Sequence, residues 1–278
     1  MSLKESKQLD KEAFIEYLRK RKMMSNVYLD EVEAVELHSL KGVVTLIEAL
    51  EANIIVPLER YELANGFNIQ PKRGVLLAGP PGTGKTTIGR ALAHKLRSKF
   101  FLIDGTFISG SRDFYQKVEQ VFEAAKNNAP AIIFIDDSDV IFENKEDFGL
   151  YRYLLTALDR LESESNKRVC IMMTTIDVAS VPAALVRSGR IELWLETTLP
   201  DQTARFEMLT DRCESLPAVL KSVNLKLLAT QSDGLTGAKL KRITEAIAKS
   251  GAKQMATNPF AFLNNFMGDM RETEELPA

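Results

Sequence analysis

The run GPPGTGKTT, residues 79–87, follows the apolar segment GVLLAG at 74–79 and precedes a stretch of helical periodicity. It limits the possible folds more than any other segment of the chain. Gly79, Gly84, Lys85 and Thr86 satisfy G-x-x-x-x-G-K-[ST], a pattern that works only between a strand and a helix. In that setting Gly79, Pro80, Pro81, Gly82, Thr83 and Gly84 form a loop whose backbone N–H groups wrap phosphate oxygens. The helix that opens with Lys85, Thr86 and Thr87 adds its dipole. Lys85 would meet the β- and γ-phosphates and the Thr86 hydroxyl would bind Mg2+. A chance glycine-rich turn needs neither flanking element, and both are present.

Apolar runs continue beyond the loop. FFLID at 100–104, AIIFID at 131–136, VCIMMTT at 169–175 and IELWLE at 191–196 read as strands. Helical spacing connects them, through Phe114, Val118, Val121, Phe122 and Ala125, then Tyr153, Leu154, Leu158 and Leu161. Strands alternating with helices predict an α/β fold with a five-stranded parallel sheet between helices. A further helical pattern spans Leu40 to Leu63. Past Pro200 the strand signal stops, and Leu240, Ile243 and Ile247 share one helical face. The expected organisation is an N-terminal helical extension at 1–37, a nucleotide-binding domain at 38–198, and a small helical domain with a polar tail at 199–278.

Composition narrows the partners. Of 278 residues 27% are charged, yet the net charge is only -2, so no global field attracts nucleic acid or anionic lipid. The basic run Arg19 to Lys22 reads as a solvated helix end. Cys170 and Cys213 are isolated, offering neither a disulfide framework nor a metal-ligand spacing. The polar N-terminus and the lack of an apolar run of about 18 residues point to a cytoplasmic protein without a membrane span.

The strand AIIFID ends in Asp136 and Asp137. A continuous apolar run suits a strand buried on both faces, and parallel sheets place ligands at the carboxyl ends of such strands. Asp136 is therefore expected beside the phosphate loop as a metal-associated carboxylate. Three longer stretches, PLERYELANGFNIQPKRGVLLAGPPGTGKT, VFEAAKNNAPAIIFIDD and PAALVRSGRIELWLETTLPDQTARFEML, then carry a resemblance over residues 38–250. In order and spacing the chain resembles the AAA ATPases, in the branch with the proteasomal ATPases, katanin and spastin.

That resemblance implies ATP and Mg2+ as ligands, a homo-oligomeric ring (usually a hexamer), and a protein substrate that hydrolysis remodels. It implies that Arg187 and Arg190, in RSGR, act as arginine fingers on the neighbouring subunit's γ-phosphate. It implies adenine contacts from Gly237 and Ala238 in GLTGAKL and from Leu40 and Gly42 in HSLKG, with Arg212 near the nucleoside. Asp137 stands where the family usually has a water-orienting glutamate, one methylene longer. Rubisco activases, which the chain also resembles, carry aspartate there, so Asp137 is expected to be competent but slow.

Two more departures stand out. The polar sensor at the end of the fourth strand, commonly asparagine, aligns with Ile176. Thr174 or Thr175 would then supply a hydroxyl, with Thr175 carried as the catalytic candidate. The loop that grips substrate in threading members aligns with Gly110 and Ser111, and only Phe107, Phe114 and Tyr115 lie nearby. The alternatives to a remodelling ATPase are a slowly hydrolysing, ATP-binding assembly switch and a nucleic-acid-directed loader. The loader is disfavoured because no basic groove or helix-turn-helix pattern is present.

Overall fold

The computed structural model describes residues 35–67, 69–104, 114–143, 148–163, 168–186, 190–214 and 224–250. Expectations for residues 1–34, Phe107, Gly110, Ser111, Arg187, the side chains of Phe114 and Tyr115, and the tail from 251 fall outside them. The described residues form two compact units, which divide between Thr197 and Thr198.

In the first unit the apolar runs become β1 (Gly74–Ala78), β2 (Lys99–Asp104), β3 (Ala131–Asp136), β4 (Val169–Thr175) and β5 (Leu193–Glu196). They form one parallel sheet in the order β2-β3-β4-β1-β5. The last strand starts two residues later than the apolar pattern suggests. Ile191 instead turns in, fully buried, with its N–H on Leu185 O at 3.2 Å.

Helices α1 (Val44–Leu50), α2 (Val56–Glu59), α3 (Tyr61–Gly66) and α4 (Lys85–Lys95) precede β2. Then come α5 (Phe114–Asn127), α6 (Ser138–Glu143) and α7 (Phe148–Ser163). The helical pattern at 40–63 is thus broken, with a π-helical turn over Glu51–Ile55 and Pro57 in α2. Proline has no N–H to donate, and the Asn53 carbonyl four residues back accepts from Lys72 N at 2.9 Å.

Strand residues alternate between two cores. Val75, Leu77, Ile132, Phe134, Cys170 and Met172 pack with α1 and α4, while Leu76, Ile133, Ile135, Ile171 and Met173 pack with α5 and α7. A two-residue period sends neighbouring side chains to opposite faces, and burial on both faces explains why these runs carry no polar alternation. Fully burying a side chain such as Phe134 contributes roughly 1.5–3 kcal/mol.

In the second unit α8 (Gln202–Glu214), α9 (Leu225–Gln231) and α10 (Gly237–Ser250) surround Leu209, Leu228, Leu235, Leu240 and Ile243. Arg205 is buried among them. Its guanidinium donates to Ala229 O and Pro200 O and pairs with Asp233 at 2.9 Å, so the buried charge is satisfied. Among the described residues no helix is long and apolar enough to cross a membrane.

Candidate nucleotide site

The glycine-rich loop leaves β1 in conformations that only glycine adopts freely. Gly79, Gly82 and Gly84 have φ of 144°, 77° and 89°. A Cβ on Gly79 would lie 2.0 Å from Thr197 O, so a side chain there would collide with the chain beyond β5. Gly84 is the N-cap of α4, and Pro80, Pro81 and Gly82 are exposed, so the concave loop faces solvent at a helix N-terminus. Thr83 braces it, donating to Pro80 O at 2.8 Å and lying 2.8 Å from Thr197 Oγ1.

Lys85 is buried at the first turn of α4. Its Nζ donates to Gly79 O at 2.6 Å and Pro80 O at 2.9 Å, which holds the ammonium in the mouth of the loop. Burial pushes it below the ordinary lysine range, against the opposing pull of Asp136, Asp137 and Asp139. Thr86 follows one position later and donates to Asp136 Oδ2 at 2.8 Å. Residues 50 apart in sequence therefore meet at one point, because α4 packs across β3. The fit requires Gly89, where a Cβ would come within 2.3 Å of the Phe134 ring. Thr87, on the same turn, is exposed.

Strand β4 lies between β1 and β3, so its last residues stand between the loop and the acids. Thr174 is the threonine that reaches them. Its Oγ1 donates to Asp136 Oδ1 at 2.6 Å and accepts from Asp137 N at 2.9 Å. Thr175, the sequence candidate, faces the other way. It donates to Asp177 O at 2.8 Å and lies 3.0 Å from Ser180 Oγ. The physical reason is the alternation along β4, which puts Thr174 on the face covered by α4 and Thr175 on the opposite one. Ile176 is 55% exposed and contributes no polar side-chain atom; its N–H meets Asp139 Oδ2 at 3.3 Å.

Asp137 sits in the turn after β3 with φ of 48°, an uncommon value that aspartate tolerates better than most residues. Burial pushes its carboxyl above the usual range, and the negative charges of Asp136, Asp139 and Asp104 push the same way, with Lys85 opposing. Among the described residues no group of three or more His, Cys, Asp or Glu could hold a metal ion. The donor set here is smaller and all oxygen, Thr86 with Asp136.

Arg190 is committed within its own chain. Its Nε and Nη2 donate to Asp159 Oδ1 and Oδ2 at 2.7 and 3.0 Å, and Nη1 donates to Ala184 O at 2.7 Å. Sequence reasoning missed Asp159, a single carboxylate in a polar helical stretch. The adenine candidates are placed as follows. Leu40 is half-buried after the turn Leu37–Ser39, and Gly42 is exposed with φ of 76°. Gly237 and Ala238 open α10, where Thr236 Oγ1 accepts from Lys239 N at 3.3 Å, and Arg212 is half-buried on α8.

Residues 75–199 match the model of the ATPase family associated with various cellular activities. The chain is 33% identical over 215 residues to the protein CdcH of Halobacterium salinarum, covering 74% of this chain and 29% of that protein. It is 34% identical over 233 residues to the cell division cycle protein 48 homolog of Archaeoglobus fulgidus, covering 81% and 30%. Against the proteasome-activating nucleotidase of Thermococcus onnurineus it is 33% identical over 247 residues, covering 84% and 61%. The chain thus spans between about three-tenths and three-fifths of the length of these relatives. With the phosphate loop, the parallel sheet and the acidic strand end in place, residues 75–199 are identified as a domain of the AAA ATPase family.

Proposed function

We propose that this chain hydrolyses ATP with Mg2+ and that it does so as a cytoplasmic homo-oligomeric ring that remodels a protein substrate. The observation that carries the reading is the meeting of Thr86 Oγ1 and Asp136 Oδ2 at 2.8 Å, next to the lysine of the phosphate loop. Hard oxygens from a hydroxyl and a carboxylate suit Mg2+, which keeps several waters and shares substrate phosphates instead of filling a protein cage. When bound, the ion neutralises charge building on the phosphate oxygens.

The chain's own residues supply the rest. The loop N–H groups and Lys85 orient the triphosphate, and Asp137 orients the attacking water. Leu40 and Gly42 are proposed as adenine contacts in the first unit, and Gly237 and Ala238 as adenine contacts in the second. Arg187 is proposed to reach a neighbouring subunit's nucleotide, which requires an oligomer. Arg190, implied by the resemblance as a second finger, is held by Asp159 and Ala184 O in its own chain and is proposed to serve a structural part there.

A second reading rests on Asp137, whose carboxylate is short and whose pKa is raised. A site that orients water poorly would bind ATP and organise partners with little turnover. One experiment separates the two. Steady-state phosphate release with Mg2+ and ATP, repeated in excess EDTA, should show metal-dependent turnover. Light scattering should show the apparent mass rising towards a hexamer with ATP. Tight ATP binding with no turnover would leave the switch, and a chain that stays monomeric at high concentration with ATP would remove the ring.

A further inference from the structure

We propose that Thr174 is a positioning residue for hydrolysis, setting Asp137 through the backbone; the inference rests on the ATPase reading of the site above. Thr174 is fully buried, and every polar atom it presents towards the acidic turn is engaged. Its hydroxyl donates to Asp136 Oδ1 and accepts from the Asp137 N–H, while its carbonyl accepts from Ser138 Oγ at 2.6 Å. Ser138 is also fully buried. One residue of β4 therefore grips three consecutive residues, Asp136, Asp137 and Ser138.

The direction of each bond is determined by chemistry. A backbone N–H can only donate, so the Thr174 oxygen must accept from Asp137 and send its single proton to Asp136. Asp136 then has one oxygen on Thr174 and the other on Thr86. The peptide joining Asp136 to Asp137 is held from both sides, and that hold maintains Asp137 at φ of 48°. A glutamate could seek its pose along three side-chain torsions. An aspartate has two, so the placement of its carboxylate follows the backbone more closely, and pinning that backbone replaces reach.

The end of the strand explains why Thr174 takes this part. Ile176, the first residue after β4, has an apolar and exposed side chain. With no polar group there, Thr174 is the polar β4 side chain that contacts the acidic turn among the described residues.

The test compares Thr174→Val, which keeps the branched shape without the hydroxyl, with Thr174→Ser, which keeps the hydroxyl. Losing a partner that orients a metal-associated carboxylate costs about 10- to 100-fold in activity. Thr174→Val should lose kcat in that range with the Kd for ATP unchanged within about twofold, and Thr174→Ser should restore most of the rate. Amide hydrogen exchange, followed by NMR without nucleotide, should show the Asp137 N–H protected in the native chain and in Thr174→Ser but fast in Thr174→Val. A Thr174→Val chain with native kcat overturns the proposal, as does one in which kcat and ATP affinity fall together and serine rescues neither. A native chain without turnover defeats the ATPase reading itself, an outcome distinct from native turnover that survives the valine.

Discussion

Arg190 and Asp159, 31 residues apart, form a two-pronged ion pair at 2.7 and 3.0 Å that ties the chain after β4 to α7. The guanidinium holds the Asp159 carboxyl below the usual carboxylate range. A group depressed in the folded state contributes stability above its unfolded pKa and loses it as pH falls through the folded value. The pair should therefore matter at neutral pH and fade below about pH 4, the ordinary aspartate value. Because Asp159 is exposed, its coupling to Arg190 in a double-mutant cycle with Arg190→Ala and Asp159→Ala should be no more than about 1 kcal/mol. Urea unfolding at pH 7 and at pH 3 measures it, and an undiminished coupling at pH 3 would contradict the pairing.

Lys85→Ala should weaken ATP binding by roughly 2–5 kcal/mol, the range for removing one partner of a desolvated charge pair. The fold should persist, since Lys85 donates only to carbonyls of a solvent-facing loop. Calorimetric titration with ATP, alongside a melting curve, checks both halves.

Asp137→Asn should separate stability from turnover. Burial and three neighbouring carboxylates raise the Asp137 pKa, so its ionised form opposes the fold: the stability it allows below the ordinary aspartate value is lost as pH rises through the raised one. Asparagine removes that charge and accepts positive φ equally well. At pH 7 the variant should melt higher, by about 2 °C for each ~1 kcal/mol gained. Its turnover should fall at least ~10-fold. A lower melting point would place the strain of this turn somewhere other than in its charge.

Cys170 and Cys213 should differ in reactivity. Burial pushes the Cys170 thiol up to about 12, and raises Cys213 less far. The thiolate is the reactive form, so iodoacetamide at pH 8 should label Cys213 first and reach Cys170 on unfolding. Because the Cys170 pKa is raised on folding, its contribution to stability is complete below about pH 9 and is lost as pH rises towards 12. Mass spectrometry of the labelled peptides decides the order.

Much of this architecture could be read from the chain because its signals are local. Gly79, Gly84, Lys85 and Thr86 lie within eight residues, and five apolar runs marked five strands. What escaped was set by longer-range geometry. VCIMMTT is apolar almost throughout because β4 is buried on both sides, so nothing in it says whether Thr174 or Thr175 faces α4. The order β2-β3-β4-β1-β5, which brings β4 between the loop and the acids, leaves no mark in any one segment. The left-handed backbone at Asp137 is equally silent, since aspartate occurs in both conformations.

Gly89 has a mechanical consequence. A methyl group there would strike the Phe134 ring, so the backbone of α4 rests directly on that ring of β3. Overpacking of this kind costs typically about 1–3 kcal/mol, and Gly89→Ala should lower the melting point accordingly. In the native chain no side chain on the helix side of that contact is there to re-pack. Close-packed interiors transmit strain, so a displacement of Lys85 and Thr86 along α4 would meet the Phe134 ring of β3 directly.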